Sequence, residues 1–270
     1  MHMMELTGLT RDYGGGKGIF NISFQVEEGE AFGFLGPNGA GKTTTIRHLM
    51  GFIRPKEGMC QIRGRDCWKE RDMVQKRLGY IPGEISFLED MTGREYLRFV
   101  ARYRGMEEDG RTQEMLERFP LDPKEKIKKM SKGTRQKLGI VAAFMHDPDI
   151  LVLDEPTSGL DPLMQSRFIE LLGEEKKRGK TILLSSHMFE EVERTCDRIG
   201  ILREGRLMRV DSVATLRERH MKTYDVELGD PETAQAFARD FHGICQGTRV
   251  LVTARQTLEE IFLQYYGGEE

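Results

Sequence analysis

The sequence predicts an α/β fold with a mainly parallel central sheet, an antiparallel β subdomain, a helical insertion and a small C-terminal α/β appendage. Two apolar runs without polar alternation, Ile150–Leu153 and Thr181–Leu184, suit strands that are buried on both faces. Helical patterns separate these runs, and such alternation is typical of layered α/β domains. A strand, a glycine-rich loop and a helix also follow one another between Ala31 and Met50.

The N-terminal segment is expected to form the β subdomain. Glu5–Leu9 and Gly18–Val26 have strand-like composition, and they flank the cluster Gly14–Gly16. The cluster could be mistaken for a second phosphate loop, but no helix follows it. A flexible hairpin or turn is therefore the better interpretation. A further strand is expected near Met59–Arg63.

The glycine-rich loop matches the phosphate-binding pattern G-x-x-x-x-G-K-[ST]. The apolar strand Ala31–Leu35 precedes it, and a helix over Thr44–Met50, ended by Gly51, is expected after it. The residues of the loop are Gly36, Pro37, Asn38, Gly39, Ala40, Gly41, Lys42, Thr43 and Thr44. A glycine-rich turn with a chance lysine is the alternative, but it does not account for the flanking strand and helix.

This loop predicts that the chain binds a nucleoside triphosphate. Its glycines allow successive N–H groups to point inward at the phosphates, and the helix N-terminus adds about half a positive charge. Lys42 is expected to bridge the β- and γ-phosphates, and the Thr43 hydroxyl is expected to bind Mg²⁺.

The middle of the chain predicts a helical insertion, which forms a helical subdomain over about 84–146. A polar helix over Trp68–Leu78 and a strand over Gly79–Pro82 are expected before it. Apolar residues then recur at helical spacing through the insertion. Its last helix is expected to begin at Ser131 and to end before Asp147–Pro148.

Two acidic residues form a second chemical centre. The strand Ile150–Leu153 leads directly into Asp154 and Glu155, at the carboxyl end where open α/β sheets bind ligands. Asp154 is expected to hold Mg²⁺ through water. Glu155 is expected to orient and deprotonate a water that attacks the γ-phosphate. A solvated acidic turn is the alternative interpretation.

The rest of the chain continues the α/β pattern and then changes. Helices that start at Pro162 and Met188 alternate with the strands Thr181–Leu184 and Arg198–Leu202. Beyond about Val210 the patterns weaken and predict an appendage, so the predicted domains are 1–210 and 211–270. In the appendage we expect strands and helices at Thr223–Leu228, Pro231–Phe241, Thr248–Val252 and Thr257–Tyr266.

Composition limits the possible functions. The 270 residues include 41 basic and 44 acidic ones, a net charge of −3, so direct nucleic-acid binding is not expected. The sequence has no run near the roughly 18 apolar residues of a transmembrane helix, and its start lacks a signal-peptide pattern. Four cysteines without metal-ligand spacing predict reduced thiols rather than a zinc site. We therefore expect a cytoplasmic protein whose membrane contact, if any, comes from a partner.

In the order of these motifs, the sequence resembles the nucleotide-binding subunits of ATP-binding cassette (ABC) transporters over about Glu5–Val210. The resemblance implies that the ligands are ATP and Mg²⁺. It aligns Tyr13 with an aromatic residue that stacks on adenine in the family, and His187 with a switch histidine that contacts the γ-phosphate. Without the resemblance, Tyr13 would be an ordinary turn tyrosine and His187 a surface histidine.

Ser131–Gln136 resembles the family's signature motif in a degenerate form. In relatives this motif reaches across a head-to-tail dimer to the γ-phosphate held by the other subunit. Ser131 offers a hydroxyl and Gly133 a backbone N–H at a helix N-terminus. Lys132 and Thr134 depart from the usual glycine and glutamine. Considered alone, the segment would be a charged, solvated face.

Two further segments are similar to family loops that respond to the nucleotide. Ser158–Asp161 resembles the D-loop, which passes between subunits and holds the dimer in register, and the resemblance makes Asp161 a candidate nucleotide-binding residue. Otherwise the segment would be a turn and N-cap before Pro162. The family's Q-loop glutamine corresponds to Gly83, which has no side chain that could bind Mg²⁺. Glu84, the next residue, is the candidate replacement.

The resemblance implies a working unit of two ATPase subunits, identical or paralogous, and a separate integral membrane permease on whose cytoplasmic side they sit. Pro82–Glu84 and the segment Thr257–Phe262 are similar to ATPase subunits of bacterial multidrug or antibiotic exporters. A soluble ABC-type ATPase that acts on ribosomes or DNA is the alternative. Such proteins usually carry two phosphate loops or a long coiled coil, and this sequence has one loop and no sustained heptads.

Overall fold

The computed structural model describes residues 2–106, 110–219, 221–255 and 260. The chain divides into two compact units, Met1–Val210 and Asp211–Glu270.

The first unit contains an antiparallel sheet in the strand order β2-β1-β4-β5. Its strands are β1 (His2–Gly14), β2 (Lys17–Glu27), β4 (Glu57–Ile62) and β5 (Arg65–Asp66). Strands β1 and β2 form a hairpin in which Gly14 pairs with Lys17, so the expected turn at the glycine cluster is confirmed. This sheet is the predicted β subdomain.

A six-stranded sheet forms the centre of the same unit, in the order β10-β9-β3-β8-β7-β6. Its strands are β3 (Ala31–Leu35), β6 (Leu78–Ile81), β7 (Ile150–Asp154), β8 (Thr181–Ser186), β9 (Arg198–Arg203) and β10 (Arg206–Ser212). The pairs β3–β8, β3–β9, β6–β7 and β7–β8 are parallel. Every residue of β3, β7 and β8 is buried, which explains the apolar runs Ala31–Leu35, Ile150–Leu153 and Ile182–Leu184 within them.

The two sheets share an aromatic core. Phe24 of β2 stacks on Phe32 of β3 with ring centroids 5.0 Å apart, and it meets Phe34 edge-on at 4.9 Å. Aromatic side chains of this size contribute much of the buried apolar area of a domain. The core therefore fixes the β subdomain to the strand that leads into the phosphate loop.

The helices of the first unit cover the central sheet and build the insertion. They are α1 (Lys42–Leu49), α2 (Arg71–Gln75), α3 (Gly93–Arg104), α4 (Gly110–Arg118), α5 (Lys132–Phe144), α6 (Pro162–Lys177) and α7 (Phe189–Thr195). Helices α3 to α5, with a 3-10 turn at Ile127–Lys129, make the insertion. A capping box of Thr92 and Glu95 starts α3, and Gly105 in the left-handed conformation ends it.

Two predicted helices differ from the structure. The polar helix expected over Trp68–Leu78 is wrong at both ends, because only Arg71–Gln75 is helical. The Asp66 carboxylate accepts hydrogen bonds from the backbone N–H groups of Trp68 and Lys69, which makes a turn, and Leu78 pairs with Ile150 in the sheet. The helix after the phosphate loop begins at Lys42, two residues earlier than expected.

The second unit has a sheet in the order β11-β13-β12 with antiparallel pairing. Its elements are α8 (Val213–Arg219), β11 (Met221–Glu227), α9 (Pro231–Asp240), β12 (Ile244–Gln246) and β13 (Arg249–Arg255). Ala234 and Ala238 of α9 are buried with Val250 of β13. The short elements α8 and β12 were not predicted, and the predicted helix Thr257–Tyr266 lies outside the described residues except for residue 260.

Candidate nucleotide site

The register of the parallel strands brings the predicted motifs to one edge of the sheet. Leu35, which precedes the phosphate loop, pairs with Ser186, which precedes His187. Asp154 pairs with Ser185 on the other side of β8. Neighbouring strands lie about 4.8 Å apart, so the three strand ends form a continuous carboxyl edge. Open α/β sheets bind their ligands at this edge.

The phosphate loop leaves the start of α1 open. Gly41 is the N-cap at φ 106°, and in the described chain no side chain caps the helix. A side chain at Gly41 would also collide with Ile19, since an ideal Cβ would lie 2.8 Å from the Ile19 Cγ2 atom. The first N–H groups of a helix have no intrahelical acceptor, so an uncapped start can donate them to an anion.

A cleft of about 490 Å³ lies over this loop. Its lining contains the predicted Tyr13, the loop residues from Pro37 to Thr44, and Glu155. Tyr13 is 54% exposed, with the Arg11 guanidinium 5.4 Å from its ring centroid. The remaining lining residues are Gly16, Lys17, Gly18, Glu204 and Gly205. We call this space the phosphate cleft.

Sequence reasoning missed Lys17 and Glu204 as lining residues of the phosphate cleft. The cluster Gly14–Gly16 was a signal for the first, because it contains the turn of the β1–β2 hairpin, and Gly16 in that turn lines the cleft together with Lys17. The second follows from the β9–β10 turn, where the Gly205 N–H donates to the Ala40 carbonyl oxygen at 3.0 Å. Only tertiary packing reveals that contact.

Lys42 is turned toward its own loop and toward Glu155. Its Nζ atom donates a hydrogen bond to the Gly36 carbonyl oxygen at 2.6 Å and lies 3.2 Å from Glu155 Oε1 as an ion pair. The Lys42 side chain is only 6% exposed. The lysine therefore lies in the cleft with its charge compensated by an acidic residue and by a backbone carbonyl.

Glu155 contacts His187 as well as Lys42. The other Glu155 oxygen, Oε2, lies 2.5 Å from His187 Nδ1. Glu155 has a left-handed backbone at φ 49°, and its N–H donates to the Ser185 carbonyl oxygen at 3.0 Å. Non-glycine residues held in this region are strained and occur often at functional sites. This carboxylate joins the base of the cleft to the exposed histidine.

Asp154 has the features of a metal ligand. It is fully buried, and its Oδ1 atom accepts a hydrogen bond from the Ser185 hydroxyl, while Oδ2 has no partner among the described residues. The Thr43 hydroxyl also makes no hydrogen bond within the described chain. Free carboxylate and hydroxyl oxygens fit the oxygen ligation that Mg²⁺ prefers. Burial raises the pKa of the neighbouring Tyr80 to about 12, and the Asp154 charge adds to this shift.

Gly83, rather than Glu84, lies beside Asp154. An ideal Cβ at Gly83 would be 3.1 Å from the unpartnered Asp154 Oδ2 atom. Glu84 is exposed and forms no hydrogen bond or ion pair with any residue that the structure describes. The offset replacement considered for Glu84 therefore has no contact that supports it in this conformation.

The remaining predicted residues, Ser131, Gly133 and Asp161, are not part of the phosphate cleft as the described chain forms it. Ser131 is the N-cap of α5, and its hydroxyl accepts from the Thr134 N–H at 3.1 Å. An ideal Cβ at Gly133 would lie 2.8 Å from the Gly159 carbonyl oxygen, which explains the glycine sterically. Asp161 caps α6 by accepting from the Met164 N–H at 3.0 Å.

Within the described ranges, the structure contains no helix with the length and apolarity needed to cross a membrane.

Comparisons with known proteins give the same identification as the motifs. The ABC transporter family matches residues 19–158. The bacitracin transport ATP-binding protein BcrA of Bacillus licheniformis is 38% identical, over 86% of this chain and 77% of its own length. The Nod factor export ATP-binding protein I of Burkholderia orbicola is 35% identical, over 86% of this chain and 78% of its own.

A solved structure agrees with the fold. It is described as the ATP binding subunit of an ABC transporter, and it is 32% identical with a TM-score of 0.73. The match covers 80% of this chain and 92% of that one. The resemblance inferred from the motifs and the predicted fold class are thereby confirmed. The chain belongs to the ABC transporter family, as an ATP-binding subunit with an ABC ATPase domain.

Proposed function

We propose that this chain hydrolyses MgATP with Glu155 as the general base and His187 as its partner, in a head-to-tail dimer that drives a separate membrane permease. The main support is the position of Glu155, which contacts Lys42 at 3.2 Å and His187 at 2.5 Å. A carboxylate that is already held between a phosphate-binding cation and a histidine is positioned to orient a water molecule and to take its proton.

Each residue of the site has a distinct role in this proposal. Lys42 exchanges the Gly36 carbonyl and Glu155 for the β- and γ-phosphates, which releases Glu155 to orient water. The N–H groups of the phosphate loop surround the phosphates, and Tyr13 stacks on adenine. Thr43 and Asp154 would hold Mg²⁺, which when bound neutralises charge on the phosphate oxygens.

Support for a dimer comes from three predicted site residues that the phosphate cleft does not contain. Ser131, Gly133 and Asp161 lie outside the cleft of their own subunit, as far as the described residues define it. They complete a site only if a second subunit presents them to the γ-phosphate. The closed dimer is driven by the higher affinity of ATP for that state.

Export is supported by the relatives, which are named for bacitracin transport and Nod factor export. The same relatives support a membrane permease as partner and a peripheral position of this chain on the cytoplasmic side of the membrane. A soluble ATPase that acts on a non-transport partner is the second candidate, and the identity of the co-purifying partner distinguishes the two.

Sedimentation of the Glu155→Gln chain tests the dimer. With ATP and Mg²⁺ we expect a dimer, because hydrolysis no longer opens it, and without nucleotide we expect a monomer. The Glu155→Gln, Lys42→Ala double variant is the control and should stay monomeric. A Glu155→Gln chain that binds ATP and remains a monomer contradicts the sandwich dimer.

Co-expression with a multi-span membrane protein encoded beside this gene tests the partner. We expect the two proteins to purify together and the ATPase rate to respond to the membrane protein. A soluble complex with ribosomes or another non-membrane partner, in place of this one, would favour the second candidate.

A further inference from the structure

A buried carboxyl group outside the phosphate cleft has an incomplete set of partners. Glu191 on α7 is 1% exposed, and its Oε2 atom accepts hydrogen bonds from the hydroxyls of Ser186 at 2.5 Å and Thr157 at 3.3 Å. Its Oε1 atom has no hydrogen-bond partner in the described part of the chain. A buried polar atom without a partner destabilises a fold. A contribution to folding stability therefore does not explain why an acidic residue occupies this buried position.

The two hydroxyls belong to the two catalytic segments. Ser186 ends β8 directly before His187, and its Oγ atom also accepts from the Met188 N–H at 2.9 Å. Thr157 lies two residues after Glu155. The Glu191 carboxylate is therefore a bridge between the segment that carries the histidine and the segment that carries the base.

Helix α5, which begins in the signature motif, also contacts the segment between Glu155 and Thr157. Gln136 of α5 is buried, and its Nε2 atom donates to the Pro156 carbonyl oxygen at 2.6 Å. Pro156 lies between Glu155 and Thr157. A buried polar network whose members are hydrogen-bonded holds its segments in one arrangement more firmly than single contacts do.

We propose that Glu191 is a positioning residue for ATP hydrolysis, which keeps His187 and Glu155 in register by holding Ser186 and Thr157 together. This inference rests on the proposed function of Glu155 and His187. It assigns to Glu191 an effect on turnover and none on the binding of ATP, because Glu191 does not line the phosphate cleft.

The charge state of Glu191 gives a readout that a purely structural role would not move. Burial raises its pKa to about 7, with the Glu155 charge adding to the shift and the hydroxyls and His187 opposing it. Burial also raises the pKa of the Cys196 thiol at the end of α7, and the Glu191 charge in turn contributes to that shift. Both hydroxyls donate to Oε2, and such hydrogen bonds are roughly twice as strong when the acceptor is an ionised carboxylate as when it is neutral. Protonation turns one oxygen into a donor and weakens the bridge.

Steady-state ATP hydrolysis by the full chain tests the proposal. Glu191→Leu removes the acceptor, and we expect kcat to fall roughly ten- to a hundredfold with KM for ATP nearly unchanged. The matched control is Glu190→Gln, because Glu190 is its 75% exposed neighbour and, among the residues that the structure describes, pairs only with Arg194 on the surface. The control should keep the kcat of the wild type. Wild-type kcat in Glu191→Leu overturns the proposal.

Glu191→Gln keeps the size of the side chain and decides the question even if Glu191→Leu does not fold. The ratio of wild-type kcat to Glu191→Gln kcat should fall as the pH drops through about 7, because the wild type then loses its ionised acceptor. A ratio above one that does not depend on pH would indicate a structural role only. Ser186→Ala and Glu191→Leu should also be non-additive in a double-mutant cycle, and full additivity would contradict the bridge.

Glu155→Gln, measured alongside, separates this inference from the function on which it rests. If Glu155→Gln keeps wild-type turnover, the proposed function itself fails. If Glu155→Gln is inactive while Glu191→Leu has wild-type kcat, only the role of Glu191 is overturned.

Discussion

The phosphate loop and the signature segment both lead from a loop into a helix, but the two helix starts differ. Helix α1 starts at Gly41, and in the described chain no side chain occupies its first N–H groups. Helix α5 starts at Ser131, whose hydroxyl accepts from the Thr134 N–H. The first start is open for an anion, whereas the second satisfies part of its own hydrogen bonding.

The lysines near the two helix starts also differ in burial and in their partners. Lys42 is buried in the phosphate cleft beside Glu155, and it provides the charge that a triphosphate needs. Lys132 is exposed, and its Nζ atom donates to the Ser158 hydroxyl at 3.1 Å outside the cleft. The difference is consistent with the proposal that the phosphate loop binds nucleotide within one subunit, while the signature segment acts when another subunit brings it a phosphate.

The largest expected effect comes from changing Glu155, the proposed general base in the phosphate cleft. Glu155→Gln should reduce turnover by about 10²–10⁴-fold, since the amide cannot take a proton from water. Nucleotide affinity should remain, because the loop N–H groups and Lys42 are intact. Phosphate release at saturating MgATP and a nucleotide titration measure the two quantities, and wild-type turnover would remove Glu155 from the mechanism.

The second-largest effect is expected on the affinity of the isolated subunit for ATP. Lys42→Ala should weaken ATP binding by roughly a hundredfold, the equivalent of two lost charge-assisted hydrogen bonds. Equilibrium titration of the isolated chain with ATP and Mg²⁺ measures it. Lys17→Ala is a control cation at the same cleft and should have a smaller effect. If Lys42→Ala bound ATP as tightly as the wild type, the phosphate loop would not be the part of the subunit that binds the nucleotide.

A third variant examines the signature side. Gly133→Ala places a methyl group 2.8 Å from the Gly159 carbonyl oxygen, so α5 and the D-loop must separate. We expect turnover to fall by about tenfold, with ATP affinity of the single subunit unchanged, because overpacking of this kind costs about 1–3 kcal/mol. Gly173→Ala is the matched control, since a Cβ on Gly173 meets no atom within 4 Å in the described structure. A loss of ATP affinity in Gly133→Ala would mean that the two regions are not separate.

The smallest effect is expected from Lys132→Ala, which removes the exposed hydrogen bond to Ser158. Such surface substitutions usually change the free energy of unfolding by no more than about 0.5 kcal/mol. Turnover should change by about twofold at most. Parallel assays of turnover and thermal unfolding measure this, and a much larger fall in turnover would show that Lys132 itself meets the phosphate of the other subunit.

Local sequence determined much of the fold and of the site. The loop from Gly36 to Thr44 and the strand that ends in Asp154 were predictable because each motif specifies its own backbone within a few residues. The same holds for Ser131 as an N-cap and for the helix that starts at Pro162. The helix over Trp68–Leu78 was not predictable in its extent, because Asp66 and the pairing of Leu78 with Ile150 override helical propensity there.

Only the tertiary structure decided which side chains meet. The sequence named Lys42, Glu155 and His187, but the register of β3, β7 and β8 brings them into contact, and that register depends on burial of whole strands. The resemblance singled out Gly83, but its position beside Asp154 and the buried carboxyl of Glu191 became visible only in the structure. Local patterns encode backbone conformation, whereas contacts between distant residues arise from packing, which the entire chain determines together.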